Sequence, residues 1–201
     1  MSEHYFSQQP QSKSSPKTWK YNLREKEFTF TSDIGVFSKS EVDFGSRLLI
    51  ETFNEPSIDG DFLDLGCGYG PIGISLAKSF QERNVIMVDV NNRALELAKR
   101  NAMENHVEDN TEIIQSHSTT NVKDRKFASI ITNPPIRAGK KLVHDMFGDS
   151  KDVLLPNGEL WVVIQKKQGA PSAKKKLETL FGEVDIMARD KGYYIFKAIN
   201  V

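Results

Sequence analysis

The spacing of apolar and polar side chains predicts a short β-hairpin and a helix near the N-terminus. Large apolar and polar residues alternate over 19–23 and again over 27–31. A period of two is typical of strands, and these two are close enough to pair. Apolar residues at helical spacing over 40–53 predict a helix with Ser40 as its N-cap. Residues 1–17, rich in Ser, Gln and Pro, are predicted to form a flexible arm.

From residue 61 onward, short apolar runs alternate with helical patterns. The runs predict seven strands, at 62–65, 85–90, 112–115, 127–132, 160–165, 184–187 and 193–198. Repeated strand–helix units indicate a mostly parallel sheet with helices on both faces. The last two runs are so close that they should form an antiparallel hairpin. We therefore expect residues 18–201 to form one doubly wound α/β domain.

Composition narrows the class of protein. With 38% apolar and 27% charged residues among 201, the chain is neither disordered nor membrane-like. No apolar run approaches the roughly 20 residues that span a bilayer, and the first twenty residues lack the apolar core of a secretory signal. The lone Cys67 cannot form an internal disulfide. These features favour a cytoplasmic location.

The net charge is zero, but the charges are unevenly distributed along the chain. Residues 41–122 carry 6 basic and 14 acidic side chains, whereas residues 123–176 carry 12 basic and 5 acidic ones. Such a concentration of cations predicts a positive face that would suit a phosphate-bearing partner. For the run 174–176 alone, a solvated helix face is an equally good interpretation.

A glycine-rich loop follows the first strand of the alternating segment. Residues 63–73 read Leu-Asp-Leu-Gly-Cys-Gly-Tyr-Gly-Pro-Ile-Gly, and glycines allow a sharp turn and close approach to a ligand. Asp89, nineteen residues after Gly70, could accept hydrogen bonds from ribose hydroxyls. The glycines also match the dinucleotide pattern of NAD sites. Asp64 inside the strand instead favours the cationic amino-acid group of S-adenosylmethionine (SAM).

A second loop, Asn-Pro-Pro-Ile at 133–136, follows the fourth predicted strand. Two prolines remove backbone donors and fix φ, which indicates a rigid extended turn. The Asn133 amide oxygen and the Pro134 carbonyl could accept both hydrogens of an NH₂ group, making its nitrogen a better nucleophile. Because the methyl group of SAM is already activated, catalysis would consist largely of placing the acceptor. A simple strand-ending turn is the alternative interpretation.

Together these motifs resemble class I SAM-dependent methyltransferases that modify NH₂ groups of nucleobases or glutamine. The closer resemblance is to the "methyltransferase small" domain of small-subunit ribosomal RNA guanine-N2 methyltransferases. It rests on segments 35–38, 43–46, 63–73, 133–140 and 165–169, and it extends from about residue 18 to the end. The resemblance implies a Rossmann-like class I methyltransferase fold, SAM as cofactor, and ribosomal RNA or a ribosomal subunit as substrate. We further expect a monomer or weak dimer.

The resemblance also implies roles for individual residues. SAM would be bound by Phe37, Asp64, Gly66, Cys67, Gly68, Gly70, Asp89, Val90, His117 and Asn133. The target base would be held by Asn133, Pro134 and Ile136. RNA phosphates would be met by Arg137, Lys140, Lys141, Lys166 and Lys167. Segments 35–38 and 43–46 would form a wall over the cofactor.

Two positions depart from the family pattern. Ile136 stands where many relatives have a Phe or Tyr that stacks on the acceptor. Such stacking contributes roughly 1–3 kcal/mol per base. The acceptor base is therefore bound more weakly here, or another aromatic side chain such as Phe37 stacks on it. His117 stands where an acid often faces the adenine amino group, and an ordinary exposed histidine is an equally good interpretation. The four histidines show no metal-ligand spacing, and we predict no metal.

Three other functions stay open on sequence alone. The Asn-Pro-Pro loop would also serve methylation of a protein glutamine amide or of adenine N6. An RNA-binding module that has lost catalysis could keep the same fold, although the intact glycines, Asp89 and Asn133 argue against that. An NAD-dependent oxidoreductase would give the double proline no role.

Overall fold

A computed structural model describes residues 13–34, 36 and 41–201. Strands β1 (Lys17–Leu23) and β2 (Lys26–Ser32) pair antiparallel, which confirms the predicted hairpin. The two turn residues between them, Arg24 and Glu25, have positive φ angles of 48° and 60°. Positive φ at both positions is the conformation that matches the twist of a two-residue hairpin.

The predicted N-terminal arm is described only at its end, since residues 1–12 lie outside the described residues. The Ser14 hydroxyl donates to Asp33 Oδ2 at 2.7 Å, and the Ser15 N–H donates to Asp33 Oδ1 at 2.6 Å. The chain just before β1 is therefore tied to the residue that follows β2, and β1 begins at Lys17.

The first helix, α1 (Phe44–Thr52), begins later than predicted. Asp43 is its N-cap, and the Asp43 carboxylate accepts a hydrogen bond from the Ser46 N–H at 3.1 Å. The prediction of Ser40 as N-cap is therefore wrong, and Ser40 itself lies outside the described residues. Asp43 supplies the acceptor that a free N–H of the first turn requires.

The main sheet has seven strands in the order β5-β4-β3-β6-β7-β9-β8. They are β3 (Asp61–Leu65), β4 (Val85–Asp89), β5 (Thr111–Gln115), β6 (Phe127–Thr132), β7 (Leu154–Gln165), β8 (Val184–Asp190) and β9 (Tyr193–Ile199). Strands β3 to β7 are parallel, and β9 runs antiparallel between β7 and β8. This confirms the predicted sheet, including its terminal hairpin. Only β7 begins well before its predicted start, because Leu154 pairs with Phe127 ahead of a register shift.

Helices cover both faces of the sheet, as predicted. They are α2 (Pro71–Ser79), α3 (Asn92–Glu104), α4 (Lys140–Val153) and α5 (Ala170–Phe181), in addition to α1. One buried cluster joins α1, α2, α3 and the hairpin to one face of the sheet, and a second joins α4 and α5 to the other. None of the helices in the described part of the chain is long and apolar enough to cross a membrane.

Asn101 in α3 connects the hairpin to the glycine-rich loop. Its amide oxygen accepts the Thr31 N–H at 2.8 Å, and its amide nitrogen donates to the carbonyls of Thr31 and Tyr69 at 2.9 and 2.8 Å. Asn101 is fully buried, so losing these bonds would leave several backbone groups unsatisfied. The hairpin is thus part of the support of the loop.

The direction of the strand order reverses between β3 and β6. The chain runs outward from β3 through β4 to β5 and then returns to the other side of β3. Ligands of doubly wound proteins bind at this switch point, beyond the carboxyl ends of the strands. The Thr132 hydroxyl donates to the Leu65 carbonyl at 2.7 Å and joins the two strand ends. Both predicted motifs therefore meet at one edge of the sheet.

Candidate active site

A cavity of about 230 Å³ opens at the switch point. Its floor is the glycine-rich loop, and its other walls come from the strand ends of β4 and β6, the start of α1 and the middle of α4. The predicted residues in its walls are Gly66, Cys67, Gly68, Asp89, Val90, His117, Asn133 and Pro134. Of segment 35–38, Val36 lines the cavity, whereas Phe37 lies outside the described residues.

Gly66 and Gly68 leave the floor of the cavity open. Their φ angles are +80° and +56°, and a Cβ at either position would have no neighbour within 4 Å. A side chain at either position would be strained by the backbone and would protrude into open space. Gly70, also predicted to bind the cofactor, is not among the lining residues, and a Cβ there would lie 2.7 Å from Ile74 Cδ1.

Asp89, the last residue of β4, is fixed at the cavity wall. Its Oδ2 accepts the Gly68 N–H and its Oδ1 accepts the Asn91 N–H, both at 2.8 Å. Burial raises the pKa of Asp89, and these backbone donors oppose the shift. Each carboxylate oxygen can accept a second hydrogen bond. Asp89 thus lies in the cavity wall with acceptor capacity left on both oxygens.

Asp64 lies below the loop rather than in the cavity wall. It is fully buried, and its Oδ2 accepts the N–H of Gly73 at 2.8 Å. Among the described residues, its Oδ1 has no hydrogen-bond partner. Burial raises the pKa of Asp64 to about 7; the charge of Asp89 acts in the same direction, and the Gly73 N–H opposes both. The role that the structure shows for Asp64 is to hold the first turn of α2.

Replacing Asp64 with Asn should change how stability depends on pH. The ordinary pKa of Asp64 is 3.8 and the folded value is about 7, so between these values the folded protein binds a proton that the unfolded chain has lost. Its free energy of unfolding therefore falls as pH rises from about 4 to about 7, by about 1.4 kcal/mol per pH unit at most. Asn carries no such proton. The free energy of unfolding of the variant should therefore increase relative to that of the wild type as pH rises through this interval.

Urea unfolding at a series of pH values measures this difference. Asp109→Asn, which neutralises an exposed carboxylate, serves as the matched control and should keep the wild-type profile. If the difference between Asp64→Asn and wild type stayed constant from pH 4 to pH 7, Asp64 would not be the group that takes up the proton.

The far end of the cavity is formed by residues after β5 and by α4. His117 is exposed in the wall, and the neighbouring Ser118 donates to Asp149 Oδ2 at 2.7 Å. Leu142 and Met146 of α4 also line the cavity and were not predicted. Their spacing of four residues, directly after the Asn-Pro-Pro loop, was the signal in the sequence, because it places both on one face of a helix.

Asn133, directly after β6, is held in a defined orientation by α1. Its Nδ2 lies 3.2 Å from Asp43 Oδ2 and 3.0 Å from Ser46 Oγ. A carboxylate can only accept hydrogen bonds, so the Asn133 atom that faces Asp43 must be the amide nitrogen. The amide oxygen is thereby left as the acceptor of this side chain. Segment 43–46 supports Asn133 in addition to lining the cavity.

The two prolines form a tight turn that directs Ile136 away from the cavity. Pro135 has φ −75° and ψ 78°, the inverse γ-turn conformation, and the Ile136 N–H donates to the Pro134 carbonyl at 2.9 Å. That carbonyl retains one lone pair. Pro134 and Pro135 line the cavity, but Ile136 packs against the apolar cluster under α4 and α5. Ile136, which was predicted to hold the target base, is therefore not among the residues that line the cavity.

The predicted RNA-binding side chains lie outside the cavity, in the loops after β6 and β7 and in the first turn of α4. Neighbouring parallel strands bring these loops to the same edge of the sheet. All five are exposed: Arg137, Lys140, Lys141, Lys166 and Lys167. Lys141 pairs with Asp145 at 2.7 Å. Within residues 13–34, 36 and 41–201, no group of three or more His, Cys, Asp or Glu side chains could hold a metal ion.

Known proteins that are similar to this chain include methyltransferases. The sequence profile of the methyltransferase small domain matches residues 27–197. The chain is 59% identical over 202 residues to Uncharacterized protein YbxB of Bacillus subtilis (strain 168), and the match covers 100% of both proteins. It is 33% identical over 187 residues to Ribosomal RNA small subunit methyltransferase C of Actinobacillus pleuropneumoniae serotype 7 (strain AP76), covering 90% of this chain and 55% of that protein.

A solved structure with a similar fold is the 16S rRNA N2 G1207 methyltransferase (RsmC) of T. thermophilus, in complex with AdoMet and guanosine. The TM-score is 0.82 at 22% identity, covering 96% of this chain and 52% of that one. The chain thus spans about half the length of these two methyltransferases. The match to the family profile extends over most of the chain and includes both loops of the cavity. The chain therefore belongs to the methyltransferase small domain family and is a class I SAM-dependent methyltransferase.

Proposed function

We propose that this enzyme transfers the methyl group of SAM to an exocyclic amino group, the N2 of a guanine in small-subunit ribosomal RNA. The observation that carries the proposal is the orientation of Asn133. Its amide nitrogen is occupied by Asp43 and Ser46, and its oxygen stays available beside the glycine-rich loop. An oxygen acceptor in that place suits an NH₂ group, which brings two donors.

The residues around the glycine-rich loop fit SAM as the donor. Gly66 and Gly68 leave space for a ligand against the backbone, and the carboxylate of Asp89 is fixed to receive ribose hydroxyls. The half-buried Asp89 carboxylate lies in the wall of the cavity, and a negative charge there suits a cationic ligand better than a pyrophosphate. When bound, SAM supplies a methyl group already activated by its positively charged sulfur. Val90, His117, Leu142 and Met146 would surround the adenine.

The task of the protein on the acceptor side is placement. In our proposal, the Asn133 amide oxygen and the free lone pair of the Pro134 carbonyl each accept one hydrogen of the target NH₂ group. Both acceptors are rigid, because Asp43 and Ser46 hold the asparagine and the γ-turn holds the carbonyl. The nitrogen lone pair is then free to face the methyl group. This placement needs no strong general base.

Two observations support RNA as the macromolecule. The five exposed cations in the loops after β6 and β7 and in the first turn of α4 lie at the same edge of the sheet as Asn133. Cations in that position suit the phosphates that flank a target nucleotide. The curated relative from Actinobacillus and the T. thermophilus structure are both named as methyltransferases of small-subunit ribosomal RNA. The base would have to be unpaired or flipped out to enter the cavity.

The substrate class is tested by transfer of a labelled methyl group from SAM. Small ribosomal subunits, naked ribosomal RNA, DNA and a ribosome-free protein extract should each be incubated with the wild-type enzyme and with Asp89→Ala as background. We expect label above background in ribosomal RNA, presented free or in subunits. Label confined to the protein extract would favour glutamine methylation, label confined to DNA would favour adenine, and either result would contradict the proposal.

A further inference from the structure

A second group of cations lies beside Asn133, on the face of the sheet that α1 covers. The ring of Phe44, the first residue of α1, has two cations against it. The Arg47 guanidinium carbon lies 5.0 Å from the ring centroid and the Lys191 Nζ lies 4.9 Å from it. Both distances are within the range of a cation–π contact. One aromatic side chain therefore gathers two positive charges from different parts of the chain.

This cation pair is close to the acceptor side of the cavity. Phe44 directly follows Asp43, whose carboxylate bonds to the Asn133 amide. The Phe44 ring also contacts Tyr193 at 5.4 Å between centroids, and Tyr193 pairs with Gln165 at the end of β7. The turn between β8 and β9, which carries Lys191, is thus held against the start of α1 at the edge of the sheet that carries Asn133.

Gly45 allows the start of α1 to pack closely against Tyr193. A Cβ at Gly45 would lie 2.9 Å from Tyr193 Cε1 and 3.2 Å from Asp43 Oδ2. Only glycine lets the Tyr193 ring approach the helix this closely. The same distances place Tyr193 and the carboxylate of Asp43 close to each other. Burial raises the pKa of Tyr193, and the charge of Asp43 acts in the same direction.

Neither cation of the pair is among the ion pairs of the described residues. Lys191 is exposed and Arg47 is partly exposed. Arg137 and Lys140 lie four and seven residues after Asn133, just before and at the start of α4, which packs on the opposite face of the sheet. Cations that are available to a ligand thus occur on both sides of Asn133.

We propose that Arg47 and Lys191, held on the ring of Phe44, bind a backbone phosphate of the substrate RNA on the α1 side of the acceptor site. The inference rests on the proposed function, since it assumes an RNA strand that enters with its target base at Asn133. The guanidinium offers a planar pair of donors and the ammonium a compact charge, and both suit a phosphate oxygen. The RNA strand would contact Arg47 and Lys191 on one side of its target nucleotide and Arg137 on the other side.

Fluorescence anisotropy with a labelled single-stranded RNA oligonucleotide tests the pair. The double variant Arg47→Gln/Lys191→Gln should bind about fivefold to tenfold more weakly. Its plot of log affinity against log salt should be shallower by about 0.7, because the pair binds one phosphate and each phosphate contact on a single strand contributes about 0.7. Phe44→Leu, which removes the ring but keeps both charges, should lose a smaller part of the affinity.

The control removes two exposed positive charges elsewhere on the protein. Lys26→Gln/Lys123→Gln changes residues at the tip of the hairpin and before β6, away from the carboxyl edge of the sheet, and should bind RNA as the wild type does. Equal losses in both double variants, or an unchanged salt slope in Arg47→Gln/Lys191→Gln, would overturn the assignment. SAM titration of each variant checks that the cavity is intact.

This binding measurement is separate from the test of the proposed function. RNA titration needs no turnover, so it reports on Arg47 and Lys191 even if the wild type transfers no label to RNA. Label transfer to RNA with no loss of affinity in the double variant would overturn the phosphate site and leave the proposed function standing. A loss of affinity in the double variant, with no label transferred to RNA by the wild type, would overturn the proposed function alone.

Discussion

Asn133→Ala is expected to slow methyl transfer by about a hundredfold to a thousandfold, the usual effect of removing one positioned hydrogen-bonding group from an active site. The alanine cannot accept a hydrogen from the target NH₂ group, and it also leaves Asp43 and Ser46 without their partner. SAM affinity should change little, by about twofold at most, because the lost contact is made to the acceptor. Single-turnover rates with saturating SAM, together with calorimetric SAM titrations, measure the two effects separately.

Asn22→Ala is the matched control for Asn133→Ala. Asn22 is an exposed asparagine in β1, and its loss should alter neither rate nor affinity. An Asn133→Ala enzyme with the wild-type rate would remove Asn133 from the mechanism. A slow rate explained entirely by weaker SAM binding would place its role on the cofactor side instead.

Asp89→Ala should reduce SAM affinity by about a hundredfold to a thousandfold. The variant loses the proposed acceptor for two ribose hydroxyls, and hydrogen bonds to charged groups contribute roughly 1.5–3 kcal/mol each. It also frees the Gly68 N–H that the carboxylate holds at 2.8 Å, so the loop would lose part of its shape. Calorimetry with SAM measures the change.

Asp109→Ala, which removes an exposed carboxylate from the turn before β5, is the control for Asp89→Ala and should bind SAM normally. Thermal melting of both variants shows whether the fold is retained. If a folded Asp89→Ala protein bound SAM as tightly as the wild type, the ribose would have to be held elsewhere.

Regular periodicity made most of the fold predictable. Strands buried on both faces appear as continuous apolar runs, and each of the seven predicted runs lies in a strand of the main sheet. The glycine-rich loop and the Asn-Pro-Pro turn were also visible, because short motifs are read along the chain. Asp89 could be located because it ends a strand that neighbours the loop.

The support of Asn133 could not be predicted, because it depends on residues that are distant along the chain. Asp43 and Ser46 lie 90 and 87 positions away, and no spacing rule connects them. Ile136 was assigned to the target base by its place in the motif. A γ-turn at Pro135 reverses the chain and places Ile136 under α4 instead.

The cation pair Arg47 and Lys191 could not be predicted from the charge of each sequence segment. Arg47 belongs to the acidic stretch 41–122, and Lys191 lies near the C-terminus, so neither contributed to the basic stretch. Only the packing of α1 against the turn between β8 and β9 brings them to one aromatic ring. Surface electrostatics depend on which side chains meet in space, and net charge along the sequence does not reveal that.

Nucleoside analysis of modified RNA tests the central claim most directly. Ribosomal RNA from small subunits is incubated with the enzyme and methyl-labelled SAM, digested to nucleosides, and separated by chromatography with mass detection. The account predicts label in N2-methylguanosine with the wild-type enzyme and almost none with Asn133→Ala. Label in a ring-nitrogen or ribose-methylated nucleoside, or equal labelling by the Asn133→Ala enzyme, would contradict an acceptor site built to hold an exocyclic amino group.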